Sequence, residues 1–293
     1  MSFSVITPSY NASQWIQCCV ASVADQDAGE VEHIVQDGGS TDGAGSYLRR
    51  EPRVRAFIEK DEGMYDAINR GWRKAKGEFV VHLNADEQLL PGALAAVHDC
   101  FARNPQADVV LGGSLICGPD GELLCYRKAI HPPLSVLLTS HHPVPSCAVF
   151  LRRSGFLQRV NLYDPSFRQI SDALLMIDIV RSGSRIALLD SFTSVFFWTG
   201  ENLGLCQSDR AKAEYRYQMS LAPRWLRLAK PVVRAGFHVR KLFAGHYFQG
   251  PISYLIYTRD NSVARQWFEV MRPSGVYRPV RTMRSEDPMR EAL

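Results

Sequence analysis

The chain opens with short apolar runs that each break off at polar, glycine or proline residues, and between the runs the apolar positions fall three and four apart. Residues 3–7, 31–36, 54–58 and 79–83 read as strands. Trp15, Ile16, Cys19, Val20 and Val23 fall at helical spacing, and a helix entered at Pro91 is expected to run to about residue 103. A fifth strand near 108–111 would close this half. Strands alternating with helices predict an α/β domain, Rossmann-like, with a mostly parallel sheet and helices on both faces. Beyond residue 112 the pattern loosens into short apolar runs at 123–126 and 148–151, set between Gly/Pro turns.

The residues just past each strand matter more than the strand itself, because α/β sheets bind ligands in the crevice outside their carboxyl ends. The run 79–83 is apolar throughout, so it can be buried on both faces and hold Asn84-Ala85-Asp86-Glu87 at the rim. Hard oxygen ligands there suit Mg²⁺ or Mn²⁺ carrying phosphate oxygens. The first strand ends in Thr7-Pro8-Ser9-Tyr10-Asn11. The second ends in Asp37-Gly38-Gly39-Ser40-Thr41-Asp42, where the glycines permit close backbone approach and Asp37 is placed to meet a ribose or base edge. Next, Met64, Ile68, Trp72 and Ala75 form one apolar helical stripe, with Asp61, Tyr65, Asp66 and Asn69 elsewhere on the turn. On local pattern alone Asp61 caps the helix and Asp66 is a polar side chain turned to solvent.

These segments together resemble the family-2 glycosyltransferases of the GT-A fold, over roughly residues 4–198. The resemblance rests on Val5 to Asn11, Val35 to Asp42, Glu59 to Gly71 and Leu83 to Glu87, and the third of these looks most like the branch that builds bacterial capsule, exopolysaccharide and O-antigen units. It implies an inverting transfer of one sugar from a nucleotide-diphosphate-sugar donor to a carbohydrate or polyprenol-linked acceptor. It further implies donor contacts from Thr7, Pro8, Tyr10, Asp37, Tyr65, Asp66, Asn69, Asn84, Ala85 and Asp86, with Asp86 as ligand to Mn²⁺ or Mg²⁺. Asn84 takes the first position of the usual Asp-x-Asp, which lowers the local negative charge and leaves Glu87 as an auxiliary ligand. Asp172, which opens a helix before an apolar run, is the implied general base, although a carboxylate there is equally a good helix cap. The loop carrying His141 and His142 is implied to lie near donor sugar or acceptor, so that His142 contacts a hydroxyl or diphosphate.

Composition adds location and exclusions. With 293 residues and 46% hydrophobic content the chain can bury a full core. No apolar run approaches the roughly 18 residues that would span a bilayer, and the first strand starts too early for a signal peptide, so a cytoplasmic protein is expected. Seven cysteines without paired metal-ligand spacing read as reduced thiols. Adjacent histidines lacking a third ligand at zinc spacing argue against zinc, and His33 and His82 read as structural. Residues 215–259 hold eight Lys or Arg and no Asp or Glu, interleaved with Trp225, Leu226, Leu228, Val239, Leu242 and Phe243. Such a basic amphipathic helical region either lies on an anionic membrane surface, the inner face of the membrane, or packs on the catalytic domain. Nucleic acid is disfavoured as a partner, since the charge is local and no recognition motif accompanies it. Nucleotidyltransfer would need a glycine-rich basic loop after the first strand, which Thr7 to Asn11 is not. A non-catalytic nucleotide-sugar binder is left open by Asn84. The expected layout is 1–205 catalytic, with 1–112 for the donor and 113–205 for the acceptor, then 206–272 basic and 273–293 loosely ordered.

Overall fold

The computed structural model describes residues 2–140, 142–200, 202 and 208–277. The first half runs β1 (Ser2–Ser9), α1 (Ile16–Ala24), β2 (Glu30–Asp37), α2 (Ala44–Leu48), β3 (Arg55–Ile58), α3 (Met64–Lys74), β4 (Phe79–His82), β5 (Glu87–Leu89) and α4 (Ala93–Arg103). The second continues through β6 (Val109–Cys117), β7 (Leu123–Arg127), α5 (Leu134–Thr139), β8 (Val149–Arg152), α6 (Ser171–Arg181) and β9 (Ile186–Phe197). It ends in α7 (Asp209–Ser220), α8 (Arg224–Leu228), α9 (Lys230–Phe243), β10 (Ile252–Thr258) and β11 (Asn261–Val270).

The main sheet has the order β3-β2-β1-β4-β8-β6-β9-β5, with β7 added on β6. β1 is buried on both faces because its side chains alternate between two cores. Ile6 packs with Ile68 and Trp72 of α3 and Leu175, Met176 and Ile179 of α6, while Phe3 and Val5 pack with Cys19 of α1 and Leu94, Val97 and Phe101 of α4. Helices therefore cover both faces. A Cβ on Gly71 would run into the Ile6 side chain, so glycine is what lets α3 lie this close to β1.

β1, β2, β3 and β4 are parallel, with Ser9 opposite Asp37, Asp37 opposite Ile58 and Ile6 opposite His82. Their carboxyl ends thus finish along one rim. The expected fifth strand exists and extends to Cys117, but it does not adjoin β4, because β8 lies antiparallel between them. Arg152 explains the insertion. Its Nε donates to the Ala107 carbonyl at 2.9 Å, its Nη1 to Glu78 at 3.0 Å, and its guanidinium lies over the rings of Phe79 and Phe101.

The C-terminal region adds an element beyond the expected helices. The hairpin β10–β11 turns Ile252, Tyr254 and Ile256 onto Leu115, Tyr126, Val195 and Phe197. The Gln88 amide bonds the Tyr257 main chain in both directions, at 2.8 and 2.9 Å, and Arg265 grips Asp25 at 2.6 and 2.8 Å. The hairpin packs on the main sheet, whereas α9 buries none of its residues fully. Of the segment expected to be loosely ordered, Tyr277 packs against Ile116, Leu124 and Cys125. Residues 278–293 lie outside the described residues, as does His141. Among the described residues six cysteines are free and buried, and no helix is long and apolar enough to cross a membrane.

Candidate active site

The rim begins with a loop built around Asp37. Its carboxylate is fully buried and accepts from the Gly39 and Ser40 amides (3.1 and 2.9 Å) and from the Ser9 and Ser40 hydroxyls (3.0 and 2.6 Å). Buried carboxylates persist when their lone pairs are filled in this way. Asn11, at φ 50°, zips the first loop to the second, its amide donating to Ser40 Oγ and its Oδ1 accepting from the Thr41 amide. Thr7 is fully buried with its hydroxyl 2.9 Å from His33; Pro8 is buried and Tyr10 exposed. Asp37 thus organises the loop rather than presenting a free carboxylate.

The carboxylate that faces the loop belongs to Asp61. A Cβ on Gly38 would stand 2.8 Å from Asp61 Oδ2, so the glycine leaves space that the acidic side chain fills. Burial raises the Asp61 pKa, and the nearby charges of Asp66 and Asp37 push it the same way. Asp66 itself accepts from the Glu62 amide at 3.1 Å and pairs with Arg70 at 2.9 Å. Asn69 lies away from the rim. Its amide nitrogen donates to the Tyr163 carbonyl at 2.7 Å and its oxygen accepts from the Tyr163 amide at 2.9 Å.

Beyond β4, residues 84–87 form a closed turn. The Glu87 amide donates to the Asn84 carbonyl at 3.0 Å, and the Glu87 carboxylate accepts from the Asn84 amide at 2.7 Å. Ala85 is buried against Ile16, Val20 and Val35, which anchors the turn from below. Asp86 is left half-buried at the corner, with Asn202 Nδ2 at 3.4 Å. Burial raises both carboxyl pKa values, and repulsion by Asp86 raises that of Glu87 further. Among the described residues Glu87 Oε1 is buried with no hydrogen-bond partner, and the adjacent Cys147 thiol is too weak a donor to replace one. Two crowded carboxyls and an orphaned oxygen fit a divalent cation. Among the described residues no three His, Cys, Asp or Glu side chains are grouped to hold an ion by themselves.

A chain of contacts leads from this turn to Asp172. Asn84 Oδ1 can only accept, so His82 Nε2, at 2.8 Å, carries the proton and Nδ1 accepts from the Tyr163 hydroxyl at 3.3 Å. Burial drives the His82 pKa down to about 4 against the opposing Asn84 bond, keeping the imidazole neutral at pH 7. The Tyr163 ring stacks on Tyr65 with centroids 5.2 Å apart, and the Tyr65 hydroxyl donates to Asp172 Oδ1 at 3.3 Å. Asp172 also accepts from the Ala173 amide at 2.8 Å at the start of α6. Burial raises the Asp172 pKa, and these two bonds counter it. Asp172 and His142 both line a cavity, and His142 Nδ1 accepts from the Val144 amide at 3.1 Å.

Sequence reasoning did not single out Tyr163, Asn202 or Trp198, and it gave Asp61 only a capping role. Asp61 had a signal, since it comes soon after the end of β3. The others meet the site only through long-range folding: Tyr65 and Asp172 lie 107 positions apart.

With this geometry in view, comparison with known proteins decides the family. Residues 4–154 match the model for glycosyl transferase family 2. The chain belongs to glycosyl transferase family 2. A PGL/p-HBAD biosynthesis glycosyltransferase of Mycobacterium tuberculosis is 34% identical over 176 residues, 58% of this chain and 66% of that protein, so the match stops just short of two thirds of the relative's length. The uncharacterized glycosyltransferase EpsJ of Bacillus subtilis is 24% identical over 64% of this chain and 58% of its own. Among solved structures, S. aureus TarS 1-349 in complex with UDP-GlcNAc superposes with a TM-score of 0.55 at 17% identity, covering 78% of this chain and 72% of that one. The mannosyltransferase PcManGT from Pyrobaculum calidifontis, with GDP-Man and Mn²⁺, gives 0.53 at 19% identity, covering 85% and 76%. At such identities the likeness establishes the fold, and this family-2 chain has the GT-A architecture expected of it.

Proposed function

We propose that the protein is a metal-assisted inverting glycosyltransferase that moves a sugar from a nucleotide-diphosphate donor to a carbohydrate or lipid-linked acceptor in surface polysaccharide or glycolipid assembly. The observation that carries this reading is the placement of Asp86 at a strand-end turn while Asp172, a second raised carboxyl, faces a cavity on the other side of the Tyr65–Tyr163 stack. The nucleoside would lie over the Thr7–Pro8 and Asp37 loops, with Asp61 at its edge. Asp86, supported by Glu87 and Asn84, would hold Mn²⁺ or Mg²⁺, which supplies positive charge beside the leaving diphosphate. Asp172 accepts the proton of the acceptor hydroxyl as that oxygen bonds to the anomeric carbon. The bond to the nucleoside diphosphate breaks, and its electron pair leaves with the diphosphate.

One displacement from the face opposite the leaving group gives the inverted anomer, to be read by NMR of the product. A retained configuration would refute the single-base mechanism. Tyr65→Phe gives a finer test. The Tyr65 hydroxyl donates to ionised Asp172 and so lowers its pKa; without it the pKa rises, and the acidic limb of the kcat/KM profile is expected to move to higher pH. An unmoved limb would separate Tyr65 from the base. A seat on an anionic membrane surface in a reducing compartment completes the proposal, supported by the exposed apolar residues of α8 and α9 and the free buried thiols.

A further inference from the structure

Helix α7 docks through polar side chains. Its two buried residues are Glu214 and Gln218, one turn apart on the same face. Around that face α7 holds four successive residues of the segment that leads into α6. The Arg210 guanidinium donates to the Ser166 carbonyl at 2.7 Å, and the Tyr217 ring lies 5.0 Å from that of Phe167. The Glu214 carboxylate accepts from the Arg168 amide at 2.8 and 3.0 Å and from the Gln169 amide at 2.8 Å, and Arg210 Nε adds a bond to Glu214 Oε1 at 3.1 Å. Asp172 follows Gln169 by three positions.

Burying a carboxylate is costly unless its lone pairs are filled, and an apolar residue of similar size would dock a helix at lower cost. What the carboxylate adds is a fixed place for two main-chain amides. The approach to α6 needs such an anchor, because the residue before the helix is Ile170, whose side chain has no acceptor with which to cap it. The segment is tied instead by the Asp164 amide, which donates to Ser171 Oγ at 2.7 Å, and by α7. Glu214 does not line the cavity that Asp172 faces.

We propose that Glu214 is a positioning residue for sugar transfer: by holding the Arg168 and Gln169 main chain it fixes where the Asp172 carboxylate stands in the cavity. The inference rests on Asp172 as the general base and extends that reading to a helix outside the site. A reacting group misplaced by about 1 Å can lose on the order of 10²-fold in rate, so slack at residues 168 and 169 is amplified at Asp172. Gln218 anchors the same helix separately, its amide nitrogen donating to the Leu137 and Ser140 carbonyls at 2.6 and 3.0 Å, so α7 stays docked when Glu214 is changed.

Single-turnover rates of Glu214→Gln and Glu214→Ala, each made in the wild type and in Asp172→Asn, test it. Glutamine keeps the length of the side chain and one accepting oxygen but turns an NH₂ group toward the two amides. In the wild type the expected losses are about tenfold for Glu214→Gln and about 10²-fold for Glu214→Ala, with nucleotide affinity and donor KM unchanged. In Asp172→Asn each change is expected to cost less than about twofold, because a side chain that cannot take a proton loses nothing by being displaced. A residue that merely stabilises the fold would cost the same in both backgrounds when rates are read well below every variant's melting temperature. Equal losses in the two backgrounds, or wild-type rates in both Glu214 variants, would overturn the proposal. Should Glu214→Ala fail to fold, Glu214→Gln carries the comparison by itself. A wild-type rate in Asp172→Asn alone would strike the base assignment and this inference with it, whereas failure at Glu214 with Asp172→Asn still slow leaves the transferase reading standing.

Discussion

Asp172→Asn is expected to lower kcat by about 10²–10⁴-fold, the usual contribution of a positioned general base, and to leave nucleotide affinity unchanged. The substitution is nearly isosteric. The oxygen of the introduced side-chain amide can still accept from Tyr65 and from the Ala173 main-chain amide, so α6 keeps its first turn and the cavity wall its shape. What disappears is the group that can take a proton. Single-turnover release of nucleotide, set beside nucleotide binding to the same variant, separates chemistry from affinity. A variant that retains more than about a tenth of the wild-type rate would remove Asp172 from the base role.

Asp86→Ala is expected to act with opposite signs on activity and on stability. Loss of the cation's charge beside the diphosphate removes several kcal/mol of transition-state stabilisation, about 10³-fold in kcat/KM, and abolishes the response to Mn²⁺. The metal-free fold should gain stability. The pKa values of Asp86 and Glu87 are raised by burial, and that of Glu87 additionally by Asp86. For carboxyls with raised folded pKa values, the stabilisation is complete below the unfolded value near 4 and is lost as pH rises through the folded values. At pH 7, above the Asp86 value of about 6 and below the Glu87 value of about 8, the metal-free protein therefore carries the cost of a buried Asp86 carboxylate beside a Glu87 held largely protonated, and removing Asp86 relieves Glu87. A higher melting temperature without metal, together with lost Mn²⁺ dependence, is the expected pair of results. Wild-type Mn²⁺ dependence in the variant would refute the ligand assignment.

β1, β2 and β4 were legible because their apolar runs are buried on both faces and end in turn chemistry at the rim, whereas β3, an edge strand with no fully buried residue, showed only as a short apolar run. The order of the sheet was not. Nothing in residues 148–151 announces that they insert antiparallel between β4 and β6, since that position depends on Arg152 meeting Glu78, Ala107 and two aromatic rings distant in sequence. The β10–β11 hairpin did leave a trace. Ile252, Tyr254 and Ile256 alternate with Ser253 and Leu255, with a short turn at Arg259 and Asp260 beyond them, but the surplus of basic residues upstream drew the reading toward helix alone.

At the candidate site the same limit applies. The Asp37 loop and the Asp86 turn are local motifs, so their residues could be named from the sequence. What those residues do is set by neighbours. Asp37 is enclosed by four donors, Asn69 ties down the Tyr163 main chain, and Tyr65, expected beside the nucleotide, donates to Asp172. The apolar and basic faces of α9 were visible as composition. Only the fold turns the basic face toward Asp172.

The most direct test of metal-assisted nucleotide-sugar chemistry is thermal unfolding of the purified protein with UDP, GDP, dTDP and CDP, each with and without Mn²⁺. A nucleotide at about 100 times its Kd stabilises the fold by about 2.7 kcal/mol, a shift of roughly 5 °C. The account predicts a shift that depends on Mn²⁺ and is largest for one nucleotide. Melting temperatures unmoved by all four nucleotides, with and without the ion, would contradict it.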